Sequence, residues 1–135
     1  MSASKQLRLE RQVVARQKQV VDELNSIVQD IERCERTVLD LQEELTRINL
    51  QFQGPRTTRD DVEYLSGLLA CAKKKLGWEK QLASLQKRTP STLQELATLL
   101  DDPHAPPSSE AKDEMLRALQ KVQASMERLQ ALKVN

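Results

Sequence analysis

From Val20 to Phe52 the apolar residues fall on one seam: Val20, Leu24, Ile27, Ile31, Cys34, Val38, Leu41, Leu45, Ile48 and Phe52. The steps alternate between four and three, a 3.5-residue period that keeps one stripe of a helix turned toward a neighbour over a long distance. No Gly or Pro interrupts it. At about 1.5 Å per residue the seam spans about 50 Å, a stripe that one helix cannot bury by itself. Another helix, in this chain or a second one, has to cover it. Val21 and Val28 widen the stripe at e positions, as expected of a helix with more than one neighbour. The a positions (Leu24, Ile31, Val38, Leu45, Phe52) and d positions (Val20, Ile27, Cys34, Leu41, Ile48) both mix branching types. The seam therefore does not choose between a parallel dimer and an intramolecular bundle. Upstream, residues 1–19 read as a helical lead-in with Leu7, Val13 and Val14 apolar, but Glu10 and Gln17 fall on the extrapolated seam and weaken its register.

Gly54 and Pro55 end this first helix, and Thr57-x-x-Asp60 or Thr58-x-x-Asp61 opens the next with the spacing of a capping box. Two apolar lines run along the second helix. One is Val62, Leu65, Leu69, Ala72, Leu76; the other is Tyr64, Leu68, Cys71, Trp78, Leu82, Leu85; together they predict one broad apolar face. Gly67 and Gly77 are costly in a helix interior and mark candidate close approaches, Gly77 also a candidate kink. A turn of about five residues folds the two long helices back antiparallel. Pro90 suits a first helical position and Ser91 with Gln94 a second capping box, so a separate short helix is expected. Asp101 to Ser109 is rich in Pro, Ala and Ser and reads as a mobile linker. A last helix behind a Ser109 cap carries Met115, Leu119, Val122, Met126 and Leu129 in the same four-three steps. The prediction is all-α, a single domain over residues 1–135. A long antiparallel hairpin of helices at about 5–53 and 60–87 is braced by helices at about 91–101 and 110–133, making a three- to four-helix bundle, monomeric or dimeric.

Composition supports this. Only 2% of the 135 residues are aromatic, against 39% apolar and 30% charged, a balance that favours helices over sheets. The net charge of +1 hides an alternation. The segment ending at residue 18 is basic, 19–54 acidic, 55–88 basic and the remainder mildly acidic, so an acidic first helix would lie beside a basic second one. There is no apolar run after Met1 and no eighteen-residue apolar stretch. That pattern predicts neither signal peptide nor membrane span and makes the cytoplasm, or the nucleus, the expected location. Cys34 and Cys71 form no C-x-x-C pair and read as small apolar core residues, with a bridge between helices or subunits as the alternative.

No candidate for chemistry stands out. His104 is the only histidine and has no second imidazole or cysteine near it in sequence; Asp101 and Asp102 suit a helix terminus; the glycines are isolated. The chain therefore reads as a non-enzyme without metal or cofactor. Lys73-Lys74-Lys75 and the bases from Lys5 to Lys18 are the basic clusters, expected as solvated faces. The alternative, an anionic membrane or nucleic acid held electrostatically, is weakened by near-neutral total charge and the lack of interleaved aromatics. The expectation is a protein–protein interaction or scaffolding module, acting by coiled-coil self-association or by docking a partner helix. The first helix outruns its neighbours and its basic end should protrude. Candidate contacts are Leu7, Val13 and Val14 at that end, Tyr64 and Trp78 as lone aromatics, and Lys73, Lys74 and Lys75.

Ala118-Leu119-Gln120-Lys121-Val122-Gln123 resembles the third helix of a BAG domain. That helical bundle regulates a major heat-shock chaperone by binding its nucleotide-binding domain. The resemblance covers about twenty residues and implies a co-chaperone whose second and fourth helices face the chaperone. The extra helix at Ser91–Leu100 and the Pro-rich linker depart from that pattern.

Overall fold

The computed structural model describes residues 3–103 and 105–132, and among these the chain is all-α. Three helices follow in order: α1 (Ala3–Gln51), α2 (Thr58–Leu100) and α3 (Ser109–Ala131). The α1 seam is buried from Val20 to Leu41, with Ile48 beyond it and Leu45 and Phe52 partly covered. Gln17 is buried too, so the seam extends one step upstream through a polar residue.

The hairpin turn is built as the sequence predicts. Gly54 takes a positive φ of 87°, which only glycine adopts without strain, and Thr57 caps α2. Thr57 Oγ1 accepts from the Asp60 backbone N–H at 3.2 Å, and the Thr57 N–H donates to the Asp60 carboxylate at 3.1 Å, satisfying two otherwise orphaned donors. α1 and α2 are antiparallel, a direction set by contacts between distant residues. Lys74 pairs with Glu44, and Arg88 with both Glu23 and Asp30.

Two expectations need correction. The segments at 60–87 and 91–101 are one continuous helix of 43 residues, with Pro90 inside it, so among the described residues there are three helices and no fourth. Ser91 caps nothing. A proline here forfeits one backbone bond and costs about 3 kcal/mol. The ring lies on the exposed outer face, while Leu85, Thr89, Thr92, Leu96 and Leu99 continue the four-three seam on the buried one. Fully burying each leucine is worth roughly 1.5–3 kcal/mol, enough to carry the helix through the proline. The α3 cap is Ser108 in place of Ser109, its Oγ accepting from the Ala111 N–H at 3.2 Å.

α3 packs against α1 and runs parallel to it. Its start lies by Val14, Gln17, Lys18 and Val21, and Arg128 near its end pairs with Glu35 at 3.6 Å. With 23 residues against 49 in α1, α3 covers only the proximal half of the hairpin. The core divides accordingly. A three-helix cluster gathers Val20–Cys34, Leu85–Leu99 and Met115–Leu129, and a two-helix cluster gathers Leu41, Ile48 and Cys71 with Leu45, Phe52, Tyr64 and Leu68. Between them α2 presents Lys75, exposed, at the a position of its own seam.

Candidate interaction surface

Carrying the heptad onto α2 sorts its two apolar lines. Tyr64, Leu68, Cys71, Trp78, Leu82 and Leu85 occupy a and d positions and face α1. The other line falls at b and e, and it does not join a broad covered face: Val62, Leu65, Leu69 and Leu76 are 55–63% exposed. The reason lies in the flanks. The g positions beside the first line hold Lys74 and Arg88, opposite the acidic g positions Glu23, Asp30 and Glu44 of α1. That match selects one of two lines with similar apolar spacing.

The ion pairs place the g side of the hairpin on one flank, and α3 occupies the other. Its start lies beside Val14 and Val21 and its Arg128 reaches Glu35, all e positions of α1, while Val28 of α1 and Leu93 and Leu100 of α2, also e positions, are partly buried against the three-helix cluster. Leu65 and Ala72 are e positions of the distal half. The exposed stripe thus continues, beyond the end of α3, the same side of the hairpin that α3 covers. Leu69 and Leu76 flank it at b, with Lys73 and Lys80 at the neighbouring f positions.

The residues singled out from sequence have diverse settings. Residues 3–12 are exposed throughout, Leu7 among them, and Val14 is about half exposed. Val13 and Val14 line an open cavity of about 700 Å³ with Leu9, Ala105 and Pro106, where the α2–α3 connection crosses α1. Tyr64 is built into the hairpin end. Its hydroxyl donates to Asn49 Oδ1 at 3.3 Å, its ring meets Phe52 edge-on with centroids 5.7 Å apart, and the Arg56 guanidinium lies 4.7 Å above it. Trp78 packs against the three-helix cluster, its buried indole Nε1 without a hydrogen-bond partner among the described residues. Lys73, Lys74 and Lys75 fan around α2 and do not form one patch, since successive residues point about 100° apart. Lys74 is committed to Glu44, and that hydrogen bond holds the Glu44 carboxyl below its ordinary range while raising Lys74.

Both cysteines are free and buried, and burial raises each thiol above its ordinary pKa. His104 lies outside the described residues. Among the described residues no cluster of His, Cys, Asp and Glu could hold a metal ion, and no helix is long and apolar enough to cross a membrane. Comparison of the chain with family models, curated proteins and solved structures finds no match. The likeness to a BAG domain therefore rests on Ala118–Gln123 alone, where Ala118 and Val122 are buried and Lys121 and Gln123 exposed.

Proposed function

We propose that this chain is a non-catalytic interaction module that takes up an amphipathic helix along the distal half of its hairpin. The observation that carries the reading is the Val62–Leu76 stripe. Its apolar residues recur at heptad spacing over two heptads, lie on solvent, and continue the side that α3 already covers. An aligned apolar row of this kind marks a helix-docking surface, whereas singly scattered exposed leucines carry no such meaning. Lys73 and Lys80 along its edge favour a partner helix with acidic flanks. The exposed end of α1, with Leu7, Leu9 and Val14, supplies a second apolar surface at the opposite end of the rod.

The test is capture from cell extract on three immobilised full-length chains: wild type, Leu65→Gln/Leu69→Gln, and a Leu50→Gln control on α1. Leu50 is equally exposed but outside the stripe. The reading predicts a bound protein, a differently tagged copy of the chain included, that survives the control and is lost with the double substitution. A set of bound proteins unaffected by the stripe substitutions contradicts it.

A further inference from the structure

We infer that the helix seated on the Val62–Leu76 stripe is the same stripe of a second copy, the two α2 helices running antiparallel about a two-fold axis at Leu69. This rests on the helix-docking reading and names its occupant. The stripe is nearly palindromic: Val62 and Leu76 lie seven residues either side of Leu69, with Leu65 four before it and Ala72 three after it. Antiparallel pairing centred on Leu69 sets Val62 against Leu76 and Leu69 against itself, and brings Leu65 within one residue of the smaller Ala72. That is the self-complementarity an isologous contact requires.

Charge selects the same direction. Along the flank of the stripe stand Arg59 and Glu63 before the centre and Lys73, Glu79 and Lys80 after it. Arg59 and Glu79 lie ten residues either side of Leu69 and oppose one another in the antiparallel register, and Glu63 comes within two residues of the position facing Lys73. A parallel pairing would set acid on acid and lysine on lysine, which is penalised. The arrangement also continues an interface already present. A second α2 on the e side of the distal half lies in line with α3 and supplies the covering layer that α3, ending near Glu35, does not reach. Two heptads make a small contact, so the dimer is weak and concentration-dependent.

Single cysteines introduced into the full chain test this directly, since the native Cys34 and Cys71 are buried and wild type reports any background. Under mild oxidation at high protein concentration, Leu69→Cys should give a disulfide-linked dimer on a non-reducing gel. Val62→Cys and Leu76→Cys should each remain monomeric alone yet cross-link when mixed. Self-linking of Val62→Cys as efficient as that of Leu69→Cys overturns the antiparallel axis. Cross-linking of Leu69→Cys no greater than that of Leu50→Cys overturns the self-association. If a captured partner still depends on Leu65 and Leu69 in that case, helix docking stands and only its occupant is wrong; if none does, both fail.

Discussion

Arg88 Nη1 donates to the Asp30 carboxylate across 2.6 Å, joining residues 58 apart in sequence. The same guanidinium donates through Nη2 to Ser26 Oγ at 2.8 Å and through Nε to Glu23, so one α2 side chain spans two turns of α1. About a third of the side chain remains exposed, which screens the charges, but the planar fork fixes geometry that a lysine cannot reproduce. Arg88→Ala should lower unfolding stability by about 1–2 kcal/mol, and Arg88→Lys by roughly half as much. Urea denaturation measures both; equal losses would show that charge alone matters there.

Thr89 sits on the buried seam with its Oγ1 lacking a hydrogen-bond partner among the described residues. A buried hydroxyl without a partner costs free energy that an isosteric methyl would not. Thr89→Val should therefore stabilise the fold by about 1 kcal/mol, raising the urea midpoint without changing the slope. A loss of stability would mean that the hydroxyl is satisfied in solution.

The two helical glycines should respond differently to alanine. A Cβ at Gly77 meets nothing within 4 Å, whereas one at Gly67 would stand 3.1 Å from Ile48 Cδ1. Gly77→Ala should stabilise by about 1 kcal/mol through helix propensity alone. Gly67→Ala should gain measurably less, because Ile48 must shift by a few tenths of an ångström. Equal gains in chemical denaturation would contradict a close approach at Gly67.

What could be read from residues alone follows from these examples. The α1 seam, the Thr57–Asp60 cap and the Gly54 turn were legible because each depends on local spacing. The continuity of α2 through Pro90 was not, because local rules count the lost donor and the available cap but not the burial of Leu85, Leu96 and Leu99 on either side. The exposed stripe was half legible. Both apolar lines of α2 were visible, but which one faced α1 depended on Lys74 and Arg88 meeting Glu44, Asp30 and Glu23, a match between distant segments. Tyr64 and Trp78 were chosen for their rarity, and their surroundings, Asn49, Phe52 and Arg56 for the first and the three-helix cluster for the second, exist only in the folded chain.

The Glu44–Lys74 bond predicts a pH dependence. Glu44 titrates below its ordinary range because Lys74 donates to its ionised form, so the folded state favours the carboxylate. The resulting stabilisation is complete above the ordinary glutamate pKa of about 4.3 and is lost as the pH falls through the lowered folded value. Glu44→Gln should flatten the fall of the urea midpoint between roughly pH 5 and pH 3. An unchanged pH profile would place the pair outside the energetics of folding.

Sedimentation equilibrium of wild type and Leu69→Gln across a wide concentration range tests most directly whether the α2 stripe is a surface for association. The predicted result is a wild-type mass that climbs from 15.4 kDa toward roughly twice that value, with the variant held at the monomer mass. A wild type that stays at 15.4 kDa throughout, or a variant that associates as strongly, would contradict self-association through the stripe.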